Sequence, residues 1–521
     1  MRQIIEIDLT PQEYGQEALL RHAVARKTGL PESDIRHIEI LRRSLDSRRG
    51  RLAYHTTAEV YCGEEYVIPD YRGKYQDCHN KPAVVIVGAG PAGLFAALRA
   101  LELGIKPIIV ERGKNVSDRK YDIAKLTKEQ EVNPNSNWCF GEGGAGTYSD
   151  GKLFTRSTKR GNIADVLKRF IEHGADPSIM IDAHAHIGTD RLSGIIANMR
   201  ATIESHGGEY HFDSRICDLL IKDDSNQVYG VRCDNGAEYH GKAVILATGH
   251  SARDIYEMFA EHHWALEPKP FALGVRVEHP QELINKIQYH NSDQSKYLPP
   301  AAYSLTTQVD GHGVFSFCMC PGGIIVPAAT ADGQQVVNGM SNSKRNSPFA
   351  NSGIAVTVGP QDVPEYSQYG VFALLRFQQD VERKVFEAVN NSITAPLQRL
   401  TDFCQGRMSQ SNNRSNYMGQ TLNAPVHEIL PPFVVHCLQQ GFKDFDRKMH
   451  GFYTQNASIL AVESRTSSPI RIPRDESFQH PQLRGLYPCG EGAGYAGGIV
   501  SSALDGMNVV ESLTLKLSNS K

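Results

Sequence analysis

Five apolar residues, Ala83–Val87, run straight into Gly88-Ala89-Gly90-Pro91-Ala92-Gly93, and a helix-patterned segment, AGLFAALRALELG, follows. No other juncture in the chain limits its fold so tightly. Gly88 makes the tight turn out of the strand, Gly90 lets the backbone approach a pyrophosphate, and Gly93 lets the helix pack closely on the strand. The helix start offers unpaired N–H groups and a partial positive charge of about half a unit to an anion. A second apolar strand, KPIIV, completes a βαβ unit of about 30 residues. Such a unit belongs to a parallel sheet of the α/β class.

The unit closes on Glu111, some 20 residues after the first glycine, where a carboxylate can grip ribose hydroxyls. An acid there favours an unphosphorylated ribose, as in FAD or NAD, over NADP. Three segments then carry a resemblance: VVIVGAGPAG with VERG at 84–113, KAVILATG ending in Thr248 and Gly249, and the carboxy-terminal GLYPCGEGAGYAGGIVSSALDG. Together they resemble the FAD-binding half of the glutathione-reductase-like flavoproteins. The resemblance implies FAD held by Gly88, Ala89, Gly90, Pro91, Ala92, Gly93, Glu111 and Arg112. It further implies Thr248 and Gly249, with Gly490 and Glu491 near the ribityl chain and pyrophosphate. A helix opening at Gly497, Gly498 and Ile499 would point its start at the flavin pyrimidine edge. Glu491 stands where that superfamily often has Asp.

A second glycine stretch, WCFGEGGAGTYSDGK, has five glycines in fifteen residues. No apolar strand of sufficient length precedes it, so it is not a second nucleotide fold. In the resemblance, Gly143, Gly144, Ala145 and Gly146 lie along the pyrophosphate and ribityl chain, so both glycine loops serve one ligand. With HIGTD (186–190), ATGHSARD (247–254), FCMCPGG (317–323) and VVNGMSNSKR (336–345), the chain resembles over nearly its whole length a bacterial family of uncharacterised FAD-dependent dehydrogenases, related to the geranylgeranyl reductases.

The chain has 521 residues, room for two to four domains. Residues 1–75 read as a small ferredoxin-like α+β module, 82–265 with 481–521 as the Rossmann-like FAD-binding domain, and 266–480 as an inserted mixed α+β substrate domain with one clear helix near 367–390. In the small module Arg42, Arg43, Arg48, Arg49 and Arg51 surround a hairpin turn; a solvated turn is the plain reading and an acidic protein partner the sharper one. A formal charge of −3 gives no general attraction to nucleic acid or anionic membranes. No apolar run of about 18 residues stands in the sequence. The amino terminus lacks the pattern of an export signal, which places the protein in the cytoplasm. Ten cysteines without repeated spacing then read mostly as buried thiols.

The candidates for chemistry are His250 beside the flavin, Arg253 for a substrate anion, and Lys152 for negative charge on reduced flavin. Cys318 and Cys320 are a dithiol candidate; the commoner reading has them lining the substrate cavity. His184 and His186 imitate a metal pair without further ligands, so no metal is expected. The expected function is FAD-dependent transfer of hydride or electrons to or from a small organic substrate. NAD(P)H would be a transient reductant without its own Rossmann domain, or a small electron-carrier protein would take that place. The alternatives are a monooxygenase, a tRNA-modifying enzyme and a non-catalytic flavin scaffold.

Overall fold

The computed structural model describes residues 2–48, 52–154 and 161–519. Its centre is a five-stranded sheet in the order Leu486–Pro488, Val244–Leu246, Ala83–Val87, Lys106–Val110, Glu209–His211, all pairs parallel. Parallel strands are covered on both faces and so read as unbroken apolar runs. Val84, Val85, Ile86, Ile109, Val244 and Ile245 are accordingly all buried.

Small residues set the next layer. The helix Pro91–Glu102 buries Ala92, Ala96, Ala97 and Ala100, and the carboxy-terminal helix Ile499–Asn519 lies against it. A Cβ on Gly506 would meet the Ala92 carbonyl oxygen at 2.1 Å, so glycine permits this approach. The contact brings together segments more than 400 residues apart in sequence.

Residues 266–480 build a seven-stranded sheet ordered Thr306–Val309, His312–Cys320, Phe349–Val358, Phe271–Pro280, Ser458–Glu463, Ala395–Arg399, Thr421–Asn423. All pairs are antiparallel except the last. Leu273, Val275, Val277, Ile354 and Val356 form its core with residues of two helices, Ala373–Ala388 and Pro432–Lys448. The sequence reading gave this region one helix. The second, 17 residues long, buries Val434, Val435, Leu438, Phe442 and Phe445 on one stripe, and its flanking prolines and internal Gly441 masked that period.

The amino-terminal module pairs Arg2–Leu9 with Ala53–Cys62, and Ala53–Cys62 with Ile35–Asp46, all antiparallel. The helix Glu17–Thr28 ends at Gly29 in the left-handed conformation, φ 73°. This is the order of the first three strands of a ferredoxin-like fold. Its second helix and fourth strand do not follow among the described residues, where 63–82 carries no helix or strand.

The hairpin arginines divide. Arg43 pairs with Asp182 and Tyr14, and its backbone exchanges hydrogen bonds with Ile181 and Ala183, which docks the module onto the segment around Asp182. Arg48 pairs with Asp46, and Arg42 is exposed. Arg49 and Arg51 lie outside the described residues. Among these residues no helix is long and apolar enough to cross a membrane.

Candidate functional site

The first glycine turn forms at the carboxyl end of the central strand. Gly88 has φ 104°, and a Cβ there would meet the Ala247 carbonyl oxygen at 2.5 Å and the Thr248 Cα at 3.4 Å. A Cβ on Gly93 would meet the Gly88 carbonyl oxygen at 1.9 Å. Both glycines are therefore demanded by packing. Gly90 differs: a Cβ there would make only an ordinary van der Waals contact, 3.9 Å from the Gly144 Cα, at the start of a helix with no side-chain cap.

The second glycine stretch closes over the first. Gly143 N–H donates to the Ala89 carbonyl at 2.8 Å, and a Cβ on Gly144 would lie 3.1 Å from the Gly90 Cα. One on Gly146 would lie 3.3 Å from both Pro91 and Ile499. Ala145 is exposed on the same turn. From the other end of the chain, Gly490 abuts Ala92 and donates its N–H to Asp505 at 2.7 Å, while Gly492 packs on Gly249. Gly249, Gly497 and Gly498 have nothing within 4 Å of where a Cβ would stand. The four glycine-bearing segments thus meet at one cleft, where the Cβ positions of Gly249, Gly497 and Gly498 stay open.

Glu111 is buried at the edge of this cleft and accepts three backbone N–H groups, from Ala89 at 2.8 Å, Gly113 at 2.9 Å and Gly141 at 3.0 Å. It ties both glycine turns to the strand end. A carboxylate has about four acceptor sites, so one remains. Arg112 pairs with Asp254 and lies over the Phe140 ring, 4.3 Å from its centroid.

Sequence reasoning missed Arg119. Its fully buried guanidinium donates to the carbonyls of Asn137, Trp138, Gly141, Glu142 and Gly144, pinning the second glycine stretch from below. Its acceptors are main-chain atoms 18 to 25 residues away, so no side-chain pattern announced it.

The other candidates fall into two groups. His250 Nδ1 lies 3.8 Å from Glu491, and its buried Nε2 has no hydrogen-bond partner. Burial, with Arg465 and Arg253 nearby, lowers the His250 pKa to about 4, so the ring is neutral. Burial raises the Glu491 carboxyl to about 7. Arg253 donates to Gln378 at 2.8 Å and to both oxygens of Glu382 at 2.9 Å; only its Nη1 is left without a partner. Arg465 also pairs with Glu382, forming a buried trio that local sequence could not reveal.

Lys152 stands elsewhere, donating to the Met319 carbonyl and 3.8 Å from Asp150, which also pairs with Arg345. It thereby reaches the strand carrying Cys318 and Cys320, both free thiols. His186 packs nearby, with Nε2 3.3 Å from the Ser343 carbonyl.

A parallel sheet with a glycine turn at the end of its central strand, a buried carboxylate at the end of the next strand and a second helix start beside them fits the class of FAD-dependent oxidoreductases. Residues 82–267 match the pyridine nucleotide-disulphide oxidoreductase family, and 270–466 the FAD-dependent protein, C-terminal domain-like family. Residues 1–61 match a domain of unknown function. The chain belongs to one family with an uncharacterised protein of Clostridium beijerinckii, 38% identical over 518 residues and covering 96% of each chain.

Solved structures with a similar fold include CtdE in complex with FAD, 10% identical with TM-score 0.32, covering 84% of this chain and 85% of that one. Another is a geranylgeranyl bacteriochlorophyll reductase-like protein of Thermoplasma acidophilum, 12% identical with TM-score 0.36, covering 84% and 79%. Similarity at that level says nothing about substrate.

Proposed function

We propose that this protein passes hydride or electrons between bound FAD and a small organic substrate held against the 266–480 domain. The observation that carries the reading is the meeting of four glycine-bearing segments, with the Cβ positions of Gly249, Gly497 and Gly498 left open. Bound FAD supplies a carrier that exchanges hydride or single electrons with organic substrates. The chain supplies the rest. Amide N–H groups at the start of Pro91–Glu102 would hold the pyrophosphate, with the Gly143–Gly146 turn packed beside them. Glu111 holds the ribose.

His250, neutral through burial, and Glu491, titrating near neutrality, are the groups that take up and return a proton in the cleft. Lys152 contributes positive charge where the two domains meet. NAD(P)H is the reductant proposed.

The test is anaerobic titration of the purified full-length protein with NADH, NADPH and dithionite, followed by absorbance. Expected are stoichiometric FAD and bleaching by a nicotinamide cofactor. Bleaching by dithionite alone would remove NAD(P)H from the reading. Absence of flavin, or copurified RNA in its place, would overturn it.

A further inference from the structure

The pair Cys318 and Cys320 sits at an irregularity that the FAD cleft does not explain. In a regular strand, residues two apart face the same side. Here the pairing of His312–Cys320 with Phe349–Val358 shifts register between Phe317 and Cys320. Cys318 takes φ 45°, in the left-handed region. A non-glycine residue there is strained and persists where the surroundings impose it, commonly at functional sites.

The surroundings are specific. Arg276, fully buried, donates to the Cys318 carbonyl at 3.0 Å and is itself held by Glu463 and Asn351. Cys320 Sγ donates to the same carbonyl at 3.2 Å, and Lys152 donates to the Met319 carbonyl between them. The bulge, two cations and a second thiol are thus gathered on three consecutive residues. Cys320 is buried, whereas Cys318 keeps partial access to solvent.

We propose that Cys318 and Cys320 form a reversible thiol–disulfide couple that exchanges with low-molecular-weight disulfides. The Cys318 thiolate attacks one sulfur of the external disulfide; a mixed disulfide forms and one external thiolate leaves. Cys320, giving up its proton, then attacks the Cys318 sulfur, the internal S–S bond forms and the second external thiolate leaves. Overall two protein thiols are oxidised, and one external disulfide is reduced to two thiols.

The electrostatics divide the labour in this sense. The Cys320 thiol beside it, then the charges of Lys152 and Arg276, draw the Cys318 thiol below its ordinary range against the effect of burial. The neighbouring Cys318 sulfur and burial push Cys320 above its own. Cys318 is therefore the attacking sulfur and Cys320 the resolving one. A disulfide across a two-residue separation is strained, which favours ready reduction over a permanent crosslink.

Trypsin releases residues 297–344 as one peptide containing only these two cysteines. Native holoprotein equilibrated with oxidised glutathione, quenched and digested, should yield that peptide two hydrogens lighter and closed to iodoacetamide. Dithiothreitol should restore two alkylatable thiols. C320S should trap one glutathione on Cys318, and C318S should leave Cys320 unmodified. In the reduced wild type near pH 6, iodoacetamide should label Cys318 at least about tenfold faster than exposed Cys217. Two free thiols after oxidised glutathione, or Cys318 labelled no faster than Cys217, overturns the proposal. Neither wild-type measurement depends on a variant folding, and neither reads flavin turnover.

Discussion

Gly90 and Gly93 share one motif but serve different ends. A side chain at Gly93 drives into the Gly88 carbonyl, whereas one at Gly90 projects into the cleft. Gly90→Val should therefore fold and stay colourless, with flavin absorbance per chain reduced at least about tenfold and the circular dichroism retained. Gly93→Ala should lose thermal stability itself, since the new Cβ meets a backbone carbonyl that no side-chain rotation can move.

Glu278 makes a second prediction at this scale. It is buried, accepts the Asn416 N–H at 3.0 Å, and burial raises its pKa from 4.5 to about 7. Between those values the native state holds a proton that the unfolded chain has released, so stability falls as pH rises through this window. Glu278→Gln removes the penalty. The variant should gain on the order of 3 kcal/mol relative to wild type between pH 4.5 and 7, read from denaturant midpoints at each pH. A constant difference across the window would refute it. His250 and His279, lowered by burial to about 4, act oppositely. Their unfolded forms bind protons first as pH falls below about 6.5, so they remove stability while Glu278 and Glu491 restore it.

Among the elements, the second glycine stretch owes its shape to the helix Val116–Glu129. That helix starts at Asn115, whose side chain accepts the N–H groups of Ser117 and Asp118. Its next turn carries Arg119 into the loop. Five of its carbonyls accept from the guanidinium, and a buried acceptor left without a donor costs about 1–3 kcal/mol. Arg119→Gln cannot serve five carbonyls. Flavin affinity should fall at least about tenfold and thermal stability with it, measured by flavin release on dilution and by calorimetry. Unchanged affinity would show that the loop holds its form without the clamp.

Across the whole molecule, the domains are joined by ions buried between them. Arg253 comes from the helix Arg253–Glu261, Glu382 from Ala373–Ala388, and Arg465 follows the strand Ser458–Glu463. Burial works to raise the Glu382 pKa, but the two arginines overcome it and hold the carboxyl at about 2. Its contribution is complete above about pH 4.5 and is lost as pH falls toward 2. Glu382→Gln leaves two guanidinium groups facing each other without an anion. It should cost on the order of 3–5 kcal/mol, seen in calorimetry as earlier melting, or as a separate transition for the 266–480 domain. Melting as a single transition at the wild-type temperature would show that apolar packing alone orients the domains.

The glycine turn, its strands and Glu111 were legible because each signal is local: strand, turn and helix start lie within about 30 residues and obey backbone geometry alone. The carboxy-terminal marker was legible for the same reason. Arg119, the Glu382 trio and the gathering of Lys152 with Cys318 and Cys320 were not. Their partners are carbonyls or charges brought together from distant segments, and burial, which sets their protonation, exists only once the sheets have packed. The sequence by itself determined which dinucleotide fold forms and where its backbone lies open. The tertiary structure alone decided which charged and thiol groups face one another, because desolvation and Coulomb interaction depend on distances in space.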